Sequence, residues 1–408
     1  MTWVERDAAV VWHGFTQMTA YADNLPVIVE RGEGRELIDV DGKRYLDAIS
    51  SLWVNTLGHR VAELDQALHD QIDRIAHSTM LGNGNRVVIE FAEALAAVVP
   101  VDAPHVLFAS DGASAVEQAL KVAFQYWANL GVPGRHTYLA FGDGYHGDTV
   151  GALSVGASGF GTHIFDPLRF AVLRAPSFAD PSALACAADL VDAHGDELAA
   201  VVVEPLIQAA GGMHLARPDA FATLAAACAR TGVLLICDEV ATGFGRTGTL
   251  FACEAVGLRP DLLCLGKGIT GGYLPMSATV ASQRVFDAFA GADLSEATLY
   301  HGHSYGGNAL AAAVALRHLQ LMHEWDVVAN VRARSTQLRD ALALRELDGV
   351  AGGSRLARRV CAAMVQRGVL SRSLGDIITL VPPLTITASE IDRIVDALAA
   401  ALDELGAA

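Results

Sequence analysis

The chain has 408 residues, enough for one large domain with a smaller companion. Hydrophobic residues make up 52% and charged residues 18%, so it can bury a sizeable core, which excludes wholesale disorder. Its net charge of −17, from 29 basic against 46 acidic residues, argues against a general binder of nucleic acid or of an anionic membrane, and leaves room for a local basic pocket.

The opening stretch, MTWVERDAAVVWHGF, lacks a basic start followed by an apolar core, so it does not read as a signal peptide. Residues 26–47 alternate around turn signals at Gly32–Gly34 and Asp41–Gly42, which predicts a small antiparallel hairpin. HVLFAS (105–110) reads as a strand leading into a helix over 113–131. There Val116, Leu120, Ala123 and Trp127 share one face. HTYLAF (136–141) and AAVVVEPLI (199–207) read as further strands, and 221–232 as a helix. VLLICDEV (233–240) and DLLCLGKG (261–268) are the next two strands. Near the C-terminus Thr387 and Glu390 form a capping box. Ile391, Ile394, Val395, Leu398 and Leu402 line the helix that follows. Continuous apolar strands linked by helices predict a parallel sheet covered on both faces, hence an α/β fold. The expected division is a large domain, 55–295, and a smaller one built from 1–54 and 296–408.

Six cysteines, at 186, 228, 237, 253, 264 and 361, form no C-x-x-C pair and no metal-ligand spacing, so no metal site is expected. Cys237 and Cys264 sit inside apolar strands as small core residues, a usage that suits a reducing cytoplasm. No apolar run is long enough to span a bilayer.

Ligands of parallel α/β sheets lie beyond the carboxyl ends of the strands, and Glu204, Asp238 and Lys267 fall at such ends. A lysine finishing an apolar run is costly unless its amine is used. An acid and an amine on consecutive strand ends suit a pyridine aldehyde: Asp238 at the ring nitrogen and Lys267 on the aldehyde, the arrangement pyridoxal 5′-phosphate requires. SDGAS (110–114) puts Gly112 and Ala113 between a strand and a helix start, where free N–H groups and the helix dipole favour a phosphate. Tyr145 in GYHGDT (144–149) can stack on a flat ring or be a half-buried loop aromatic, and His146 reads as a hydrogen-bonded loop histidine. Glu204, before Pro205, is either a structural ion-pair partner or an orienting group near the ring. Ser304, in YHGHSYGGN (300–308), lies near a helix start and can reach a phosphate. Arg372, in GVLSRSLGD (368–376), is an isolated base that can clamp a carboxylate or pair at the surface.

Together these segments resemble the class III, fold-type I, pyridoxal-phosphate aminotransferases. The signature is DEVATGFGRTGTLFACE followed by LGKGITGGYLPMSATV, and the resemblance runs over almost the whole chain. WHGFTQM (12–18), DAISSLWVNTLGHR (47–60), GYHGDTVGALSVG, EPLIQAAGGM (204–213) and HGHSYGGN are most similar to the biotin-pathway branch that aminates 8-amino-7-oxononanoate to 7,8-diaminononanoate. The resemblance implies a covalent cofactor link at Lys267, Asp238 on the pyridine nitrogen, and phosphate binding by Gly112 and Ala113. It also implies a homodimer, in which His303 and Ser304 reach the neighbouring subunit's phosphate. Tyr145 would stack near the ring, Gly302 and Arg372 would hold the keto-acid, and Leu52 and Trp53 would line its pocket.

Three departures accompany the resemblance. The tyrosine of the family's H-P-Y-T motif is Phe15 here, and the first tryptophan of its W-W pair is Leu52. Both changes touch the donor side. S-adenosylmethionine is the usual donor, but SSLWVN, HSTMLG and HGHSYGGN are more similar to the branch that uses lysine, so both donors stand. Thirdly, only DGVAGGSRLA (348–357) remains where the family carries strands of the small domain, which would weaken the fold near Arg372 or expose a sheet edge. Two rival functions follow: another class III omega-amine or amino-acid aminotransferase, and a pyridoxal-phosphate-binding protein with little catalysis.

Overall fold

The computed structural model describes residues 1–157, 159, 161–343 and 355–406. The first strands are β1 (Val29–Glu33), β2 (Glu36–Asp39), β3 (Arg44–Asp47), β4 (His105–Ala109), β5 (Thr137–Phe141), β6 (Leu173–Ala175) and β7 (Leu198–Val203). There follow β8 (Ile207–Gln208), β9 (His214–Leu215), β10 (Leu234–Asp238), β11 (Leu262–Leu265) and β12 (Ser277–Ala281). The last are β13 (Val369–Leu370), β14 (Arg372–Leu374) and β15 (Ile377–Thr379).

Seven strands make the central sheet, in the order β4-β12-β11-β10-β7-β5-β6. Only β12 runs antiparallel to its neighbours, β4 and β11. The fold is therefore α/β with a mostly parallel sheet. Side chains of successive strand residues point to opposite faces. In β10, Leu235 and Cys237 join one core with helices Arg86–Ala96, Ala183–His194 and Phe221–Thr231. Leu234 and Ile236 join another, against helix Gly112–Asn129. Both faces are dry, which is why these strands read as unbroken apolar runs. The face expected for the helix after β4 is buried throughout: Val116, Leu120, Ala123 and Trp127.

Both chain ends contribute to a second sheet, in the order β1-β2-β3-β13. The expected hairpin over 26–47 is a three-strand meander, because Asp41–Gly42 makes a second turn and β3 folds back on β2. Its core joins Leu46 and Ala48 to Val360, Met364 and Ile391, Ile394 and Leu398 of the last helix, Ala388–Gly406. The capping box forms as read: Thr387 N–H donates to Glu390 Oε2 at 2.8 Å, and Glu390 N–H to Thr387 Oγ1 at 3.3 Å. Glu390 also pairs with Arg35 at 2.6 Å, tying the N-terminal meander to that helix. Most of the shortened interval 348–357 lies outside the described residues. Among those described, two-residue β13 is the edge of its sheet.

Candidate active site

β10 and β11 run side by side, with Asp238 opposite Cys264. Lys267 is not on the strand. It lies two residues past β11 and opens a 3₁₀ turn, Lys267–Thr270, with φ +33°. That left-handed entry, rare outside glycine, turns its side chain off the sheet edge into a cavity of about 510 Å³. Asp238 and Glu204 line the same cavity, as do Gly112, Ala113, Tyr145 and Trp53.

The phosphate-sized end is built from backbone. Asp111 caps helix Gly112–Asn129: its Oδ1 accepts the Ser114 N–H at 2.9 Å and its Oδ2 the Ser114 hydroxyl at 2.7 Å. Burial alone would raise the Asp111 pKa, but the Ser114 and Ser110 hydrogen bonds hold it below the usual carboxylate value. The N–H groups of a helix's first turn have no partner in their own helix, and here those of Gly112 and Ala113 belong to residues on the cavity wall. Space decides the residue types. A Cβ on Gly112 would stand 2.5 Å from Val240 Cγ1, and one on Gly147, at φ +123°, 2.4 Å from Ala113 Cβ. Both glycines keep this cup open.

At the other end, Asp238 is fixed from two sides. Its Oδ2 lies 2.6 Å from His146 Nδ1, and its Oδ1 accepts the Val240 N–H at 3.0 Å. Burial would lower the His146 pKa, but the bond to Asp238 and the nearby Glu204 raise it. Glu204 Oε1 accepts the Tyr145 N–H and Oε2 the Ala209 N–H, both at 3.1 Å. Glu204 is not a salt-bridge partner among the described residues: its bonds are to backbone, and burial pushes its pKa up to about 7. Burial likewise pulls the Lys267 ammonium down, while Asp238 and Glu204 partly restore it. Lys267 Nζ stands 5.3 Å from the centroid of the Trp53 ring. Tyr145 donates its hydroxyl to Asp148 Oδ2 at 2.9 Å, and burial followed by that bond raises its pKa.

Six residues singled out from sequence are not in the cavity lining. Phe15 is 64% exposed and borders a neighbouring cavity of about 430 Å³ that shares Asp148 with this one. Leu52 is exposed beside buried Trp53. Gly302 is exposed near Leu81. His303 Nε2 lies 2.9 Å from Ser110 Oγ of the same chain, next to the helix cap. Ser304 is exposed, with its carbonyl bound by the His77 ring at 2.7 Å. Arg372 opens the β14–β15 hairpin, whose Leu374 packs against the small cluster of Ile49, Trp53 and Ala209, and its charge is felt at Tyr145.

His146 is the hydrogen-bonded loop histidine it was read as, but its place in the site was missed, since its bond to Asp238 joins positions 92 residues apart. Asp111 was missed too, although an acid just before a helix start is a local capping signal. The fit to pyridoxal phosphate is good: a glycine-lined cup at a helix N-terminus, an amine with a depressed pKa, and a carboxylate held by a charged-type partner converge on one cavity.

Comparison with known proteins places these features in a lineage. The aminotransferase class-III model matches residues 17–402. The adenosylmethionine-8-amino-7-oxononanoate aminotransferase of Nitratidesulfovibrio vulgaris is 42% identical, over 97% of this chain and 80% of its own length. The crystal structure of the enzyme of that name from Methanocaldococcus jannaschii superposes with a TM-score of 0.93 at 38% identity, covering 98% of both chains. A PLP-bound amine transaminase from an uncultivated Pseudomonas species gives 0.89 at 33% identity, over 97% of this chain and 98% of that one.

Proposed function

The chain belongs to the class-III aminotransferases, which depend on pyridoxal phosphate, and we propose that it transfers an amino group to 8-amino-7-oxononanoate, giving 7,8-diaminononanoate. The observation that carries the reading is the convergence of Lys267, Asp238 and the Gly112 helix start on one cavity, in a chain 37–42% identical to relatives bearing that activity in their names. S-adenosylmethionine is the donor those names give. Phe15 and Leu52 favour testing lysine beside it.

Gly112 and Ala113 would hold the phosphate through their N–H groups and the helix dipole. Pyridoxal phosphate, when bound, supplies an aldehyde that carries nitrogen between substrates and a ring that withdraws electrons from the carbon losing its proton. Asp238, oriented by His146 and the Val240 N–H, would hold the pyridine nitrogen and favour its protonated form. Lys267 Nζ has a neutral lone pair within easier reach than an ordinary lysine, because burial disfavours its ammonium. It takes the proton from the substrate carbon and returns it during the second half of the cycle. Tyr145, Trp53 and Glu204 enclose this amine and exclude water from it. Arg372, whose charge reaches Tyr145, binds the acceptor carboxylate beside Gly302. His303 and Ser304 complete the phosphate site across a homodimer. Residues 55–295 form the cofactor-holding unit, and both chain ends form the smaller one; the second sheet, shared by the two ends, supports this division. The absence of any helix long and apolar enough to cross a membrane, among the described residues, is compatible with a cytoplasmic setting.

A half-reaction separates the donors. Holoenzyme mixed with S-adenosylmethionine or lysine should lose the visible absorbance of the bound cofactor, and adding the keto-acid should restore it with formation of the diamine. No diamine with either donor, from a protein that other amines bleach, would assign it to another substrate of the class.

A further inference from the structure

Behind Trp53 lies a second chamber, of about 220 Å³, that shares Trp53 and Ala241 with the catalytic cavity. Its walls are largely apolar: Val331 and Leu338 of helix Val327–Ala343 face the segment that carries Pro382 and Leu384. Such walls have no use for charge, yet two guanidinium groups line it, those of Arg246 and Arg334. Arg246 donates to the Pro382 carbonyl at 2.6 Å and, at 3.4 Å, to the Ser50 hydroxyl. Burial pulls its pKa down to about 10, opposed only by Asp47 at a distance. Asp47 is itself engaged by Ser51 and His59. Arg334 donates to the Gln337 side-chain oxygen at 2.5 Å. Among the described residues, neither arginine has a carboxylate within ion-pair distance.

Among the described residues, three polar atoms on lining residues, one of them on Arg334 itself, are buried without a partner: Trp53 Nε1, Thr247 Oγ1 and Arg334 Nε. Buried polar groups are rarely left so. Such atoms on three residues of one small chamber, two of whose residues are arginines without an ion-pair partner, match an oxygen anion with an apolar body. The volume is about seven times a water molecule's share of liquid, which suits a chain of about six carbons. We propose that this chamber is a second binding site, for a short aliphatic carboxylate. The carboxylate lies among Arg246, Arg334 and Thr247, and the hydrocarbon lies against Val331, Leu338 and Leu384. The occupant is a free monocarboxylate, because the acceptor's single carboxylate is held by Arg372. The site does not depend on which amino acceptor the enzyme uses.

Calorimetry on the holoenzyme with hexanoate tests it, with hexanol as the uncharged control. One hexanoate should bind per chain and hexanol should not. Arg334→Met should weaken hexanoate at least about tenfold, since a charged hydrogen bond is lost, and Thr247→Val a few-fold. Arg334 lies on a helix surface and Thr247 in a loop, so cofactor absorbance and circular dichroism should report both variants as folded. Hexanoate should be noncompetitive with the keto-acid in steady-state kinetics; competition would place it at the Arg372 carboxylate site and overturn the second chamber. Absence of binding, or equal hexanoate affinity in wild type and Arg334→Met, overturns it, whatever the half-reaction shows.

Discussion

Replacing Lys267 by methionine should make the cofactor-free protein more stable while abolishing transamination. The ammonium is only partly open to solvent, and burial is the leading influence on it, pulling its pKa down from 10.5. Exchanging a buried charge for an apolar side chain of similar volume stabilises proteins by about 1–4 kcal/mol where no partner is stranded. Asp238 would not be stranded, because His146 and the Val240 N–H keep both its oxygens bound. Residual solvent access and the loss of attraction to Asp238 and Glu204 put the expected gain at the low end, about 1–2 kcal/mol. The pH dependence carries the sign. A lysine pKa that is depressed on folding leaves the unfolded chain holding a proton the folded chain lacks, so wild-type stability rises with pH up to 10.5. The gap between variant and wild type should therefore be widest near neutrality and narrow as pH climbs. Urea or thermal unfolding of the apo forms at several pH values measures it. A methionine variant that is folded but less stable than wild type at pH 7, or a gap that widens with pH, would refute the reasoning.

Gly147→Ala forces a Cβ to 2.4 Å from Ala113 Cβ at φ +123°, so it should destabilise by about 1–3 kcal/mol and sharply weaken cofactor binding, read from absorbance on titration with pyridoxal phosphate. Asp111→Ser keeps a helix cap but takes a carboxylate away from the phosphate cup; cofactor affinity should rise several-fold, and unchanged affinity would show the acid is fully offset. Glu204 takes up a proton on folding between its ordinary 4.5 and about 7, so apo stability should fall as pH rises through that window. Glu204→Gln should flatten that part of the curve, leaving the fall due to His146, whose raised pKa acts in the same direction. His146→Phe should lower turnover about tenfold or more by freeing Asp238 from one side, with the cofactor still bound and its absorbance band shifted.

Much of the cofactor end was legible in the sequence because parallel strands declare themselves. LLICD and LLCL are apolar at every position since both faces are buried, and the chemistry of such a sheet gathers where these runs stop. Gly112, Ala113, Tyr145, Asp238 and Lys267 could be proposed for that reason. His146 could not, because a histidine's partner is set by which strands become neighbours: β5 and β10 are separated only by β7, which brings the loop after β5 over Asp238. Lys267 was placed on a strand because the apolar run gives no sign of the left-handed turn that follows it. The peripheral residues Phe15, Gly302 and His303 were suggested by motif spelling alone, and Ser304 also by its place near a helix start; in one chain the cavity does not gather them.

The backbone around Trp53 connects the two cavities energetically. Ser50, Ser51, Leu52 and Trp53 have φ of 51°, 48°, 73° and 70°, a run of left-handed residues without a glycine, each costing about 1–2 kcal/mol. Local hydrogen bonds cannot offset that alone, yet several converge on it. The Ser50 hydroxyl donates to the Val381 carbonyl at 2.6 Å, the Ser51 N–H to Asp47 at 2.9 Å, and Arg246 reaches Ser50 from the second chamber. The strained turn thus joins the N-terminal meander, the segment after β15 and the loop after β10. Its product is the position of one indole: near Lys267, in the walls of both cavities, and, among the described residues, with an unpaired Nε1. Strain held by long-range bonds persists only where the surroundings determine it. A carboxylate that bonds Trp53 Nε1 from behind would therefore fix the wall of the catalytic cavity as well, so occupancy of the chamber should slow exchange of the bound cofactor even when hexanoate and keto-acid do not compete.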